Sequence, residues 1–450
     1  MLKKVLIANR GEIAVRVIRA CRELGILTVA VYSEADKEAL HTQLADEAIC
    51  IGPASVKDSY LNITNIISAC VLTGADAIHP GFGFLSENPR FAKMCSECNI
   101  KFIGPSYEAI ELMGNKARAR EVMKDAGVPV VPGFEGAIEN EEHAHMIARE
   151  IGYPVMVKAS AGGGGKGIRI VRDDSEFIKL YDTAKAEAQA CFGDDRIYIE
   201  KFVENPRHIE FQILGDEFGD VVHLCERECS LQRKNQKVLE EAPSTFLSED
   251  LRNEMGEVAV RAAKAVGYYN AGTIEFLVDK TGGYYFMEMN TRIQVEHPIT
   301  EMVTGIDLVK EQLKIASKLP LSFKQEDIKL SGHAIECRIN AEDPDKDFRP
   351  CPGKITELNL PAGMGVRVDS AIYCGYSIPP YYDSMVGKLI TFDKTREEAI
   401  IKMKRALGEF GVGGVTTNID FQYWLINQQE FLDGNYDTSY LSKKMVKNNA

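Results

Sequence analysis

Residues 272–296 read GTIEFLVDKTGGYYFMEMNTRIQVE, and the way this stretch folds decides the rest of the chain. Gly272 to Val278 is rich in β-branched and aromatic residues, Asp279 to Gly283 is turn-like, and Tyr284 to Asn290 is apolar again. The spacing predicts a hairpin of two strands. Folded about its turn, it sets Glu275 opposite Glu288 to within about one residue of register. Two carboxylates some 4 Å apart repel by roughly 4 kcal/mol at an effective dielectric near 20. Both lie in otherwise apolar strands, where an unpaired charge is costly. A divalent cation removes the conflict: Glu275, Glu288 and the Asn290 amide oxygen, completed by phosphate and water, suit octahedral Mg²⁺. The polar residues then continue at period two through Arg292, Gln294 and Glu296, and share one face if the chain stays extended. A metal, a guanidinium and a terminal carboxylate on one face point to phosphoryl transfer to a small acid.

A second stretch supplies the phosphate side. PVMVKAS (154–160) and IRIV (168–171) read as strands around the glycine run 162–165. Gly162, Gly164 and Gly167 match G-x-G-x-x-G, but a strand follows instead of a helix whose N-terminus could hold a pyrophosphate. A Walker A loop is excluded because Lys166 precedes Gly167, where Ser or Thr should ligate magnesium. The remaining form is a hairpin flap whose backbone N–H groups approach phosphate oxygens, with Lys158 in reach. Protein kinases use a glycine hairpin too, but their H-R-D and D-F-G tripeptides are absent. Lys116, Lys201, His208, Gln232, Asn235 and Lys237 fall near predicted strand ends and could close the pocket. Arg338 lies where Glu336 and Glu342 could orient it, with simple surface pairing as the other reading.

The chain has 450 residues, 45% hydrophobic and 26% charged, with a net charge of −13. That excludes disordered and collagenous classes and gives no global attraction for nucleic acid or anionic membrane. No run approaches the roughly 20 apolar residues of a membrane span, and the N-terminus is not signal-like. Eleven dispersed cysteines fit a reducing cytoplasm. Neither Cys95-x2-Cys98 nor Cys225-x3-Cys229 has a second pair to complete a zinc site. Residues 2–8 and 26–32 read as strands flanking an amphipathic helix through Cys21 and Leu24, a βαβ start for a doubly wound sheet that lacks a glycine fingerprint at its first turn. A helix from Gly114 to Gly127 and the stiff connector Val128–Gly133 follow. The expected domains are 1–114 (doubly wound), 115–133 (helix and connector), 134–203 (a small α+β lid with the flap) and 204–450 (mixed α/β).

GGGGKG after VMVKAS, IEKFVENPRHIE, CSLQRKNQKVLEEAP, GTIEFL, MEMNTRIQVEHPITE, ECRINAEDP and YYDSMVGKLI together resemble the biotin carboxylase family, within the ATP-grasp fold, over almost the whole chain. The resemblance implies that MgATP (or its Mn²⁺ form) and bicarbonate carboxylate N1 of biotin on a carrier protein, through carboxyphosphate. It implies phosphate contacts from Lys116, Lys158, Gly164 and Gly165. It puts adenine at Glu200, Lys201, Phe202 and Val203, and the ribose region at His208, Gln232 and Asn235. Glu275, Glu288 and Asn290 become ligands of one or two metal ions. Lys237, Arg292 and the Val295 backbone hold bicarbonate, Glu296 is the general base, and Arg338 stabilises the biotin enolate. Asn235 and Phe82 depart from the histidine and tyrosine common in relatives, which alters ribose and biotin contacts but not the proposed chemistry. The family pattern further implies a homodimer through Arg16, Arg19, Glu23 and Arg367. The run Lys402-Met403-Lys404 lies in a helix-like segment and is not a biotinylation motif. A biotin carboxyl carrier protein and carboxyltransferase subunits are therefore expected in trans, most simply those of acetyl-CoA carboxylase in fatty acid synthesis. Pyruvate or propionyl-CoA systems are alternatives. Another ATP-grasp ligase, or a nucleotide-binding scaffold without turnover, would not need both Glu296 and Arg338.

Overall fold

Strand β1 (Lys4–Ile7), the helix Gly11–Glu23 and β2 (Leu27–Ser33) form the expected βαβ start. β1 pairs with β2 in parallel, Lys4 opposite Leu27, and Val5, Leu6 and Ile7 are completely buried. A strand covered on both faces needs such an uninterrupted apolar run. The helix stops where Gly25 takes φ +70°, the left-handed conformation a glycine adopts cheaply at a helix end. β3 (Glu47–Gly52), β4 (Ala77–His79) and β5 (Lys101–Phe102) complete a parallel sheet in the order β3-β2-β1-β4-β5. This computed structural model describes residues 1–134, 138, 140–159, 168–192 and 197–448.

The helix expected over Gly114–Gly127 is Lys116–Asp125, preceded by a separate helix Tyr107–Gly114. Asn115 divides them: its extended backbone ends the first, and its side chain accepts the Arg118 N–H at the start of the second.

The chain falls into two compact units that are discontinuous in sequence. One comprises Met1–Val128, Arg207–Phe276 and Glu288–Ala450, and the other Pro129–Pro206 with Leu277–Met287. The hairpin tip 277–287 thus groups with the smaller unit, which a single cut near residue 204 does not capture. In the smaller unit β6 (Val155–Ala159) is flanked antiparallel by β7 (Ile168–Val171) and β8 (Ile197–Lys201). Ala144, Ile147, Val155, Val157, Phe177 and Ile199 form its core. The glycine run, including Gly164 and Gly165, lies outside the described residues.

The remaining long strands are β9 (Arg207–Gly215), β10 (Val221–Arg233), β11 (Gln236–Ala242), β12 (Asn270–Val278), β13 (Tyr284–Asn290) and β14 (His333–Asn340), all in the larger unit except the hairpin tip of β12 and β13. With the strands Met385–Asp393 and Val366–Ser370 they make one eight-stranded sheet, ordered β13-β12-β9-β10-β11-β14 and then those two. Glu240 of β11 stands opposite Glu336 of β14, and Arg338 of β14 opposite Lys388. Among the described residues no helix is long and apolar enough to cross a membrane.

Candidate active site

β9 is buried along all nine residues, yet it carries His208, Glu210 and Gln212 at period two. Alternation aims all three at one face of the sheet. Lys237, next to the start of β11, reaches over that face. Its ammonium lies 2.6 Å from Glu210 Oε2, 2.7 Å from Glu296 Oε1 and 3.0 Å from Glu275 Oε1. Arg227 of β10, fully buried, holds the other Glu210 oxygen at 2.5 Å and also donates to Gln212, Thr273 and Thr300. His208 Nε2 is 2.9 Å from Glu275, and its Nδ1 meets the Gln232 amide at 2.7 Å.

Burial would favour the neutral acid at each carboxyl, and the surroundings separate their fates. For Glu275 burial is outweighed by Lys237 and His208, which hold it well below the usual carboxylate range. For Glu296 it is outweighed by Lys237, Arg338 and Arg227, so this carboxyl also stays charged. Glu210, despite Arg227 and Lys237, is pushed up, because burial acts together with the charges of Glu296 and Glu275. Lys237 is the mirror image: burial lowers its affinity for the proton, but Glu210, Glu275 and Glu296 raise it well above the ordinary value.

The period-two stripe does not continue as one strand. β13 ends at Asn290, and the chain turns until Glu296 becomes the N-cap of the helix His297–Thr304, with Pro298 in its first turn. The polar groups nevertheless converge. The Asn290 and Gln294 amides both donate to Glu275 at 2.8 Å. Arg292 donates to the Asn290 amide oxygen at 2.8 Å and to Glu87 at 2.9 Å. Glu288 faces Lys116 at 3.4 Å, a solvent-exposed pair. The charge on Glu275 is thus answered in this structure by Lys237 and His208. Two carboxylates and an amide oxygen on one ribbon remain a donor set that suits an oxygen-seeking cation such as Mg²⁺.

Arg338 is oriented by different carboxylates from those the sequence suggested. Its Nε donates to Glu240 at 2.6 Å and its terminal nitrogen to Glu296 at 3.0 Å, and Glu342 instead accepts from Asn340 and Ser384. The reason is register: Glu240 sits on the neighbouring strand, within reach of the same face. Burial raises Glu240 to about 7, against the pull of Arg338 and with the added repulsion of Glu296.

Asn235 is not brought into this cluster. It lies exposed at the turn between β10 and β11 with φ +64°. Val295 is half-buried, its carbonyl held by Lys388 at 2.8 Å. In the smaller unit Lys158 pairs with Glu200 at 2.7 Å, and the Lys201 ammonium donates to the carbonyls of Gly152 and Tyr153. Phe202 and Val203 follow, both half-buried. Sequence reasoning missed Glu210, Arg227, Glu240 and Glu87. The period-two polar residues inside the apolar run RHIEFQIL were a usable signal for Glu210; Arg227 and Glu240 depend on strand pairing, and Glu87 on a long-range contact between a turn and the loop 291–292, none of which a local pattern carries.

Three family models together account for most of the chain. Residues 1–110 match the N-terminal domain of biotin carboxylase, 115–324 the ATP-binding domain of the carbamoyl-phosphate synthase L chain, and 336–443 the C-terminal domain of biotin carboxylase. The chain is 61% identical over 442 residues to biotin carboxylase 1 of Bacillus subtilis, covering 98% of both chains. The chain belongs to the biotin carboxylase family. It is accordingly an ATP-grasp enzyme of the ligase class that serves biotin-dependent carboxylases. Members with other partners are also close. A pyruvate carboxylase component from Methanothermobacter thermautotrophicus is 54% identical, with 98% of this chain and 90% of that one covered. The biotin carboxylase domain dimer of Hydrogenobacter thermophilus 2-oxoglutarate carboxylase, in complex with MgADP, ADP and bicarbonate, superposes with a TM-score of 0.87 at 53% identity, over 98% of each chain.

Proposed function

We propose that this chain carboxylates N1 of biotin on a carrier protein at the expense of ATP, with bicarbonate as the carbon source. The observation that carries the reading is Glu296. It is a fully buried carboxylate kept ionised by Lys237 on one oxygen and Arg338 on the other, beside the half-buried Val295 backbone. Such a group is unprotonated, and so available as a base, at any pH near neutrality, and its two cations pull an incoming anion to the same place. Bicarbonate bound by Lys237, Arg292 and the Val295 N–H gives its hydroxyl proton to Glu296. When the carboxyl group passes to N1, the phosphate of carboxyphosphate leaves and takes the N1 proton, and Arg338 stabilises the oxygen charge that develops on biotin. Nucleotide and metal, when bound, supply the phosphoryl group that activates the one-carbon acid. Glu275, Glu288 and the Asn290 amide oxygen would hold Mg²⁺ or Mn²⁺. The resemblance carries phosphate contacts to Lys116, Lys158, Gly164 and Gly165, adenine to Glu200, Lys201, Phe202 and Val203, and ribose to His208, Gln232 and Asn235. The MgADP and bicarbonate of the Hydrogenobacter complex support nucleotide, magnesium and bicarbonate as ligands.

We assign the carrier and carboxyltransferase subunits to an acetyl-CoA carboxylase in the cytoplasm, with a pyruvate carboxylase, whose component is 54% identical, as the alternative. A homodimer is supported by the domain dimer of the Hydrogenobacter relative; Arg16, Arg19, Glu23 and Arg367, the residues proposed for it, line one surface cavity of about 370 Å³. The deciding experiment gives the purified chain MgATP, bicarbonate and free biotin and follows ADP release. Release should require bicarbonate and rise with biotin; release that ignores bicarbonate overturns the reading.

A further inference from the structure

Lys388 is the only lysine that is completely buried among the described residues, its side chain 0% exposed. It stands on the strand Met385–Asp393 opposite Arg338 on one side and Asp369 on the other, so its side chain shares a sheet face with both. Burying an ammonium costs several kcal/mol even after relaxation, and lysine is among the residue types least often found inside. Its surroundings are those of a charge placed for a purpose. The Nζ donates to the Val295 carbonyl at 2.8 Å and lies 3.1 Å from Glu12 Oε1, on the first turn of the helix Gly11–Glu23. Glu336, buried on the same face, has no hydrogen-bond partner for either carboxylate oxygen.

The next carbonyl along the same loop is held as well. His297 Nδ1 lies 2.8 Å from the Gln294 oxygen, and its ring is fully buried. In a trans peptide the carbonyl and the following N–H point in opposite directions. Anchoring the Gln294 carbonyl therefore aims the Val295 N–H, and anchoring the Val295 carbonyl fixes the peptide that leads into Glu296. Between β13 and the helix His297–Thr304 the loop 291–296 belongs to no strand; Glu87 holds the Thr291 N–H and Arg292 the Ile293 carbonyl at its start, and the His297 and Lys388 contacts hold the peptides that lead into Glu296.

We infer that Lys388 is a positioning residue for the proposed bicarbonate site: through the Val295 carbonyl, and braced by Glu12, it holds the Val295 N–H and the Glu296 carboxylate in place. The inference rests on the bicarbonate reading of the site. It assigns Lys388 no contact with substrate.

Lys388→Met keeps the apolar stem and removes the ammonium. A misplacement of about 1 Å in a reacting group is worth up to about 10²-fold in rate, so the variant should lose bicarbonate-dependent ADP release on that scale. The loss should appear in kcat and in KM for bicarbonate, with KM for ATP changed less than about twofold. The double variant Lys388→Met with Glu12→Gln removes the stranded carboxylate as well. It should recover melting temperature without recovering rate, and it carries the same test where the single variant does not fold. Recovery of rate together with melting temperature, or an equal loss in ATP and bicarbonate parameters, would overturn the inference. A parent chain without bicarbonate-dependent turnover would instead overturn the functional reading beneath it.

Discussion

Lys237 sits among three carboxylates of which two, Glu275 and Glu296, stay ionised while the third, Glu210, is pushed toward its neutral form. Removing any one charge from such a set changes the protonation of the others, because they titrate together. Glu296→Ala deletes the proton acceptor and leaves Lys237 with Glu210 and Glu275. Nucleotide binding should stay near parent levels, while bicarbonate-dependent turnover falls by about 10²-fold or more, the usual scale for a lost general base. Turnover equal to the parent's would remove Glu296 from that role. Arg338→Ala strands Glu240 and leaves Glu296 with Lys237, but its catalytic signature is selective. Biotin carboxylation should fall further than the slow bicarbonate-dependent ATP cleavage that runs without biotin, and equal losses in both would refute the enolate role.

At the scale of elements, the hairpin was legible because its information is local. The strand Tyr284–Asn290 begins and ends where the residue pattern places it, and the turn Asp279–Gly283 closes with the Asp279 N–H donating to the Gly283 carbonyl. The loop that follows was not legible, since Thr291 to Val295 contains no glycine or proline to announce a turn, and only Pro298 marks the helix beyond. Arg338 was mis-partnered for a related reason: Glu336 and Glu342 are near it in sequence, whereas Glu240 is near it only once β11 and β14 pair. Lys388 was invisible because a lysine in an apolar strand reads as an outward-facing residue. Close packing between elements escapes the sequence in the same way. Gly256 lies in the helix Glu249–Ala265, and a Cβ added there would come within 2.4 Å of the buried His223 ring on β10. The backbone of His223 is held by Gln325, which accepts from its N–H and donates to its carbonyl, and the Cys225 N–H donates to the ring Nδ1 at 3.4 Å. The helix must therefore move, and Gly256→Ala should cost roughly 1–3 kcal/mol by overpacking despite the better helix propensity of alanine. Thermal or denaturant unfolding reads this directly, and a neutral or stabilising result would mean that the helix slides freely over the sheet.

For the molecule as a whole, acid is the informative perturbation. His41, His79 and His223 are buried in three different places, and burial lowers each to about 4. A folded-state value below the unfolded one near 6.5 means that the unfolded chain binds more protons between those limits. The neutral rings therefore contribute fully above pH 6.5, and the contribution disappears as pH falls through about 4. Raised carboxyls such as Glu240 act in the opposite sense, losing their contribution as pH rises through about 7, so the overall stability curve mixes both. A difference measurement separates them, because the carboxyls are common to parent and variant. The stability gap between the parent and each of His41→Gln, His79→Gln and His223→Gln should be largest above pH 6.5. It should shrink by up to about 1.4 kcal/mol per pH unit on the way to pH 4. Denaturant midpoints at pH 7.5 and pH 5 suffice to see it, and a gap that does not change with pH would mean that these rings bind a proton as readily in the fold as in the unfolded chain.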